Sequence, residues 1–259
     1  EIGTDVKSVK TGDKVFGGCF FGGYSSLINV PASQVRVLPD GWSLEQGASL
    51  PVSFLTAYVT LFDLARVKHG DKILIDCITG SLGSMCLELL KDIDCEILGL
   101  TSSQSKISFI KEKGITAITH DQFYQDQSYK DYDFILNSQG GKTVKTHYDR
   151  LGPTGRIVIV GASSAVAKGK RSLIKAIKML LTMPKFKPVQ LMNDNKGVMG
   201  INALRLFERP EFFFKRLDSA FDFNIKFNVD KVFKAANIAE AHTYIEDRKS
   251  KGKVLLQWV

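Results

Sequence analysis

Cysteine and histidine are scarce in this chain, and their placement argues against several kinds of site. The 259 residues include four cysteines and four histidines. No two cysteines form a C-x-x-C pair, and no two histidines have the spacing of metal ligands on one helix. The sequence therefore predicts neither a disulfide framework nor a metal site, and unpaired cysteines are typical of the reducing cytoplasm.

Other familiar signals are absent as well. No run of about 18 apolar residues and no basic-then-apolar leader is present, so the sequence predicts neither a membrane-spanning helix nor a secretion signal. The G-x-S-x-G motif of many serine hydrolases is missing. Basic and aromatic residues do not alternate as in grooves for single-stranded nucleic acid, so no nucleic-acid partner is predicted. The net charge of +8 permits several anionic partners and selects none.

The clearest pattern in the chain lies at residues 72–106. A short apolar run is followed by a glycine turn, an apolar helical pattern and a second strand-like run, which together form one βαβ unit. Glycines let the backbone approach a phosphate, and the start of a helix supplies free N–H groups. Two glycines at such a turn occur in many folds, so the spacing indicates a dinucleotide site without requiring one. The predicted contacts are Gly80, Ser81, Leu82 and Gly83.

The end of the second strand favours NADPH over NADH. Many NAD-binding units carry an acid here that holds the ribose hydroxyls. This chain instead has Ser102, Ser103 and Lys106 within the run 101–106. Hydroxyls and an ammonium group would bind the 2′-phosphate of NADPH, which an acid would repel. The alternative is a helix-capping loop followed by a solvated lysine.

Strand and helix patterns alternate from residue 72 onward, which predicts an α/β fold with a doubly wound parallel sheet. The predicted strands are 72–77, 96–101, 115–120, 132–137, 156–161 and 197–201, and the predicted helices are 51–66, 84–91, 103–113, 142–151 and 238–248. Short strand-like runs broken by glycine and proline flank this region. They lie at 14–16, 26–30, 34–37, 225–229 and 253–258.

Residues 165–193 contain seven lysines and arginines and no acid. Apolar residues at helical spacing within this segment predict a basic amphipathic helix. Such a helix could lie on an anionic membrane surface. The commoner interpretation is a helix that packs on the sheet and exposes a solvated basic face.

Several motifs, in this order, resemble the medium-chain dehydrogenase/reductase superfamily. They are Val9–Gly17, Gly22–Tyr24 with Val30–Ala32, Leu38–Ser43 and Phe54–Tyr58. Within it, the turn that begins at Cys77 resembles the A-x-x-G-x-x-G turn of the zinc-free quinone oxidoreductase branch. Motifs at 169–173, 191–200 and 252–256 are similar to the synaptic-vesicle amine-transport protein group, and those at 39–43, 54–58 and 135–138 are similar to polyketide synthase enoyl reductase domains.

This resemblance implies two domains with NADPH in the cleft between them. Residues 51–203 would form a Rossmann domain, and residues 1–50 with 204–259 would form a GroES-like β domain whose first strands precede residue 1. The implied activity is zinc-independent hydride transfer to a quinone or an α,β-unsaturated carbonyl, with no catalytic residue identified. The resemblance adds six cofactor contacts, namely Ser53, Thr56, His120, Asn137, Gly161 and Lys253.

The run 195–201 predicts how two chains associate. It follows the fifth strand of the sheet, so we expect it at the edge, where unpaired N–H and C=O groups need a cover. Pairing with a second copy across a two-fold axis would provide one, and related proteins dimerise in this way. The alternative is a monomer in which residues 185–194 cover the edge.

Overall fold

A parallel sheet of six strands is the centre of the fold. The computed structural model describes residues 1–163, 166–167, 170–171 and 173–258, and side chains only outside residues 164–175. The strands are β1 (Val15–Gly17), β2 (Val35–Val37), β3 (Lys72–Ile75), β4 (Glu96–Thr101), β5 (Thr116–Thr119), β6 (Tyr132–Asn137), β7 (Leu151–Ile159), β8 (Val166–Ala167), β9 (Lys170–Arg171), β10 (Gly197–Gly200), β11 (Val229–Lys234) and β12 (Lys253–Gln257). The helices are α1 (Leu44–Tyr58), α2 (Ser81–Leu90), α3 (Gln104–Lys111), α4 (His120–Gln125), α5 (Thr143–Asp149), α6 (Leu173–Leu181), α7 (Pro188–Asp194), α8 (Ala203–Leu206), α9 (Pro210–Asp218) and α10 (Ile238–Glu246).

The order of the strands in the sheet is β10-β7-β6-β3-β4-β5, and every pair in it is parallel. The chain builds the sheet outward from β3 in one direction and then from β6 in the other. The prediction of a doubly wound parallel sheet is therefore confirmed, with β10 at one edge. Ligands of such sheets bind in the crevice where the order reverses, here at the carboxyl ends of β3 and β6.

The bounds of most predicted elements agree with the structure to within one turn. Strand β7 is an exception, because it begins at Leu151 rather than at residue 156. Tyr132 pairs with Leu151 and Phe134 with Arg156, so an irregularity in register absorbs the extra residues. His120 was predicted to end a strand but begins α4, since the Thr119 hydroxyl caps that helix.

One predicted strand is wrong, and another is displaced along the chain. Residues 26–30 form no strand, and Leu27 within them is 89% exposed. Of residues 225–229, only Val229 lies in a strand, as the first residue of β11, and residues 225–228 precede that strand. Their polar groups bond α2: Lys226 N donates to the Glu88 carboxylate and Asn228 Nδ2 donates to Ser84 Oγ. The strand therefore begins only at Val229, which pairs with Lys253 of β12.

Helix α1 is the core helix that links the sheet to the flanking strands. It begins at Leu44, seven residues before the predicted start at residue 51, because Ser43 and Gln46 form a capping box. With the π-helical turn Val59–Leu64 it makes a 21-residue helix that is long and apolar enough to cross a membrane. Its largest apolar side chains are nevertheless fully buried in the protein core, among them Leu50, Phe54, Leu55 and Leu61.

The short strands outside the sheet form separate pairs. Strands β1 and β2 pair in antiparallel fashion, and β11 and β12 pair in parallel. Arg36 of β2 and Asp218 of α9 form a salt bridge of 2.7 Å between the two ends of the chain. These contacts agree with a second unit built from residues 1–50 and 204–259, and that division stays a prediction.

Candidate functional site

The predicted glycine turn lies between β3 and α2 at the carboxyl edge of the sheet. Gly80 is the N-cap residue of α2, and no side chain caps the first N–H groups of that helix. At Gly83 a Cβ atom would lie 2.5 Å from the carbonyl oxygen of Ile78. Glycine therefore allows α2 to pack against the turn, and the N–H groups of Ser81 and Leu82 are available to an anion.

Ser53, Ser81 and Lys253 lie together beside this turn, although they come from α1, α2 and β12. The hydroxyl oxygens of Ser53 and Ser81 are 2.7 Å apart, and Lys253 Nζ lies 3.5 Å from Ser53 Oγ. Burial lowers the pKa of Lys253, because desolvation disfavours its charged form. An anion held at the turn would offset that cost, so the cluster suits a phosphate or pyrophosphate group.

The carboxyl end of β4 carries the residues predicted to select NADPH. Thr101 is buried there, and its hydroxyl has no hydrogen-bond partner within the described residues. Ser102 is exposed, and the hydroxyl oxygens of Ser103 and Ser105 lie 3.2 Å apart. A buried hydroxyl without a partner costs free energy unless a ligand or water bonds it. This end of β4 therefore has unused capacity for a polar ligand.

Lys106 is less exposed than the sequence predicted. It is buried, and its Nζ donates to the carbonyl oxygen of Ser250 at 2.8 Å. Desolvation, followed by the positive charges of Lys251 and Arg248, lowers the pKa of Lys106. An ammonium group has three N–H donors, so this single bond leaves two for a phosphate.

Lys106 thus contacts a basic loop, which we define as residues 248–252. Lys251 anchors it: its N–H donates to Asp230 and its carbonyl oxygen accepts from Asn228 Nδ2. Lys251 Nζ lies 5.7 Å from the centre of the Phe109 ring on α3. This loop was not predicted from the sequence, although the run RKSKGK at 248–253 is a visible signal of concentrated positive charge.

Asp76, which the sequence analysis also missed, is buried at the end of β3. Its Oδ1 accepts from His120 Nε2 at 2.7 Å and from Gln139 Nε2 at 3.1 Å. Its Oδ2 accepts from the N–H and the hydroxyl of Ser138, both at 3.1 Å. Burial by itself would raise the pKa of Asp76. The hydrogen bond from His120 and the charges of His147 and His120 outweigh this effect and bring the pKa down to about 2. His120, which the resemblance implied as a cofactor contact, is therefore tied to a carboxylate.

Asn137 does not reach the cleft, which corrects its predicted role as a cofactor contact. It is fully buried, and its Nδ2 donates to Thr143 Oγ1 and to His147 Nδ1. Its Oδ1 accepts from the N–H of Gly140. Both polar atoms of the amide are thus used inside the protein, where they hold the turn between β6 and α5.

Thr56 and Gly161 line an open, mainly apolar cavity of about 820 Å³ at the carboxyl ends of β7 and β10. Its apolar walls are Val52, Ile159, Val160, Ile201, Leu204, Phe207 and Phe213. No side chain among the described lining residues is ionisable. Asn202 is the lining residue with a side-chain amide; its Oδ1 accepts from Leu204 N, which leaves its NH₂ group as a donor.

The sheet is doubly wound, and an uncapped glycine turn lies where its strand order reverses. Hydroxyl and ammonium groups surround that turn. Together these features are typical of a nucleotide-binding dehydrogenase or reductase of the Rossmann type. The family model of the zinc-binding dehydrogenases matches residues 114–256, more than half of the chain. The chain belongs to this family, within the medium-chain dehydrogenase/reductase superfamily of NAD(P)-dependent oxidoreductases.

Several relatives and solved structures show how far the similarity extends. The rat synaptic vesicle membrane protein VAT-1 homolog is 27% identical over 98% of this chain, which spans 66% of that relative. The quinone oxidoreductase of Thermus thermophilus, which has also been solved with NADPH, is 25% identical to this chain, with a TM-score of 0.78. The match covers 96% of this chain and 78% of the Thermus chain. The Escherichia coli quinone oxidoreductase in complex with NADPH has a TM-score of 0.81 and is 21% identical. That match covers 99% of this chain and 78% of the Escherichia coli chain. The chain thus spans at most about two thirds of the length of the curated relatives.

Proposed function

We propose that this protein is an NADPH-dependent oxidoreductase that transfers hydride to a quinone or an α,β-unsaturated carbonyl compound. The observation that carries the proposal is the position of the uncapped turn at Gly80–Gly83 beside the cluster of Ser53, Ser81 and Lys253. An open apolar cavity lies at the same edge of the sheet. The similarity to quinone oxidoreductases solved with NADPH supports it.

The residues present fit NADPH. The first N–H groups of α2, which no side chain caps, and the Lys253 ammonium would hold the pyrophosphate, since both are donors beside the glycine turn. Ser102, Ser103 and the free donors of Lys106 would hold the 2′-phosphate. The Thr101 hydroxyl, which has no partner within the described chain, would gain one from the ribose.

The cavity supports the proposed substrate class. When bound, the nicotinamide ring supplies the hydride. Apolar walls exclude water and suit a neutral ring or an unsaturated chain better than an anion, since no described lining residue carries a charge. The Asn202 amide would donate to the substrate carbonyl oxygen and stabilise the negative charge that develops there. Thr56 cannot do so while its hydroxyl donates to Val52 O at 2.6 Å.

A panel of quinones and enones tests the proposed activity. NADPH oxidation, followed by absorbance, should require one of these acceptors and should be faster than with NADH. Asn202→Ala should lower kcat with the best acceptor while leaving the affinity for NADPH unchanged. Absence of turnover with every acceptor, by protein that binds NADPH, would contradict the oxidoreductase function.

Replacing Gly80 by valine should abolish cofactor binding without unfolding the protein. A Cβ at Gly80 would lie 3.3 Å from the Cys77 carbonyl oxygen, a tight contact that a small shift relieves, so we expect the fold to persist. The branched side chain would cover the N–H groups that hold the pyrophosphate, and we expect NADPH to bind more than about tenfold more weakly. Fluorescence titration and circular dichroism measure the two effects. Gly23→Val, where nothing lies within 4 Å, is the control.

Replacing Lys106 by alanine should weaken NADPH binding and leave NADH binding unchanged. Loss of a hydrogen bond to a charged phosphate costs about 1.5–3 kcal/mol, and NADH has no 2′-phosphate. Calorimetric titration of both cofactors measures the difference. Lys111→Ala, an exposed lysine at the end of the same helix, should change neither affinity. Equal affinity of the parent protein for both cofactors would contradict the predicted preference.

A second candidate function is an NADPH-binding protein that associates with a membrane surface. Helix α6 favours it, because Leu180 and Leu181 are 65% and 81% exposed and the nearby Lys178 is exposed as well. The names of the vesicle relatives also support it. Co-sedimentation with anionic liposomes, compared with neutral ones, tests this function. Leu181→Lys should abolish the association if α6 carries it.

We also propose that the protein is a dimer joined through β10. The outer side of this edge strand pairs with no other strand among the described residues. Val198→Pro should shift the protein toward monomer, because proline removes a ladder donor. Light scattering on the parent protein should give the mass of two chains, and a monomer mass at micromolar concentration would rule out this dimer.

A further inference from the structure

Three side chains with metal-ligating atoms meet at the carboxyl edge of the sheet, where the sequence analysis predicted no metal site. Asp76 and Cys77 follow β3, and His120 begins α4, 44 residues after Asp76. A carboxylate oxygen, the sulfur and an imidazole nitrogen of these residues all lie within 4.8 Å of one another. We propose that Asp76, Cys77 and His120 form a binding site for Zn²⁺ or a chemically similar cation.

The three ligand types favour zinc over other common cations. Zinc accepts thiolate, imidazole and carboxylate ligands, and three protein ligands leave a fourth position for water. A thiolate disfavours magnesium and calcium, which prefer oxygen ligands alone. One carboxylate and one thiolate balance the two charges of the cation when the imidazole is neutral.

Binding requires two protons to change place. The thiol proton of Cys77 would leave to solvent, so that the sulfur binds as thiolate. The proton on His120 Nε2, now shared with Asp76 Oδ1 at 2.7 Å, would move to Nδ1. Two atoms bound to one zinc ion lie about 3.2 Å apart, so His120 and Asp76 need to separate by only about half an ångström.

The surroundings already orient Asp76 for this role. Ser138 bonds its Oδ2 through both the N–H and the hydroxyl, which holds the carboxylate while Oδ1 faces His120. Such outer contacts are typical of metal sites, where they fix the orientation of a ligand. Cys77 and His120 are partly exposed, so a cation can enter from the cleft.

The location of the site predicts a consequence that rests on the proposed function. The cluster lies at the carboxyl ends of β3 and β5, the edge at which we place NADPH. Zinc bound there would occupy His120 and place water in the cofactor cleft. Zinc and NADPH should therefore exclude each other, and zinc should inhibit turnover competitively with NADPH.

Metal titration of the full chain without cofactor tests the site itself. Competition with a chromophoric chelator should give one zinc ion per chain, and Co²⁺ should give the near-ultraviolet absorption of a cobalt–thiolate bond. Cys77→Ser should lose that absorption and bind zinc about 100-fold more weakly, and Ser138→Ala about tenfold more weakly. Cys95→Ser, a partly buried cysteine outside the cluster, should bind as the parent does.

Equal zinc affinity of Cys77→Ser and Cys95→Ser, or bound Co²⁺ without the thiolate absorption, would overturn the site. A thermal melt with and without zinc shows whether each variant is folded. A second titration, of NADPH in the presence of zinc, tests the competition, which simultaneous binding of both would overturn. Failure of NADPH to bind in the absence of zinc would count against the proposed function alone, since the zinc titration needs no cofactor.

Discussion

Replacing Gly83 by alanine is expected to destabilise the protein by at least about 3 kcal/mol, near the upper end for overpacking of a core. The added Cβ would lie 2.5 Å from the carbonyl oxygen and 2.6 Å from the Cα of Ile78. Both atoms belong to the backbone, so no side chain can rotate away. Helix α2 would have to move off the turn, and its buried contacts with α1 and the sheet would be lost with it. Urea unfolding measures the change.

Gly80→Ala is the matched control, three residues earlier on the same turn. Its Cβ would lie 3.3 Å from the Cys77 carbonyl oxygen, a contact that small shifts relieve. We expect a loss of about 1 kcal/mol or less, the usual cost of alanine at an N-cap position. If both variants were equally stable, the close packing of α2 on Ile78 would be disproved.

Lowering the pH from about 6.5 to about 4 should remove about 3 kcal/mol of stability through His147 alone. Burial lowers the pKa of this histidine from 6.5 to about 4. The folded protein therefore binds a proton less readily than the unfolded chain, so the contribution is complete above pH 6.5 and is lost as the pH falls to 4. Asp76 has a pKa of about 2 in the folded protein, so its own contribution to stability is lost only when the pH falls below about 3.8.

His147→Asn should flatten this pH dependence, since asparagine does not titrate. Its Oδ1 can replace Nδ1 as the acceptor for Asn137 Nδ2. The slope of stability against pH is the informative quantity, because the smaller side chain lowers stability at every pH. His69→Asn is the control: His69 Nδ1 also accepts a hydrogen bond, from Asp94 N, but the residue is exposed. If His147→Asn kept the slope of the parent protein, His147 would not be the source of this pH dependence.

The fold was largely predictable because its signals are local. Buried parallel strands read as short apolar runs, so β4 and β6 have the predicted bounds. The errors occurred where tertiary contacts outweigh a local pattern. The run 225–229 alternates like a strand, yet Glu88 and Ser84 of α2 bind polar groups of Lys226 and Asn228, and the pairing with β12 begins only at Val229.

The glycine turn of the site could be predicted from the sequence, whereas contacts between side chains distant in the sequence could not. Gly80 and Gly83 carry a sequence signal because the backbone itself makes the turn. The bond between Lys106 and Ser250 joins residues 144 apart, and no spacing rule connects them. Asp76 and His120 likewise meet only because β3 and β5 end at the same edge. Histidine and cysteine spacing along the chain consequently said nothing about the cluster around Asp76.

The order of the site residues along the chain bears on how the protein is made. All six strands of the sheet lie between residues 72 and 200, whereas Lys253 follows more than fifty residues later. A ribosome therefore completes the whole sheet before it adds the lysine that meets Ser53 and Ser81. Domains generally fold as units during synthesis. A nascent chain would thus display a finished glycine turn first and acquire its full set of phosphate-binding groups as a late step of biogenesis.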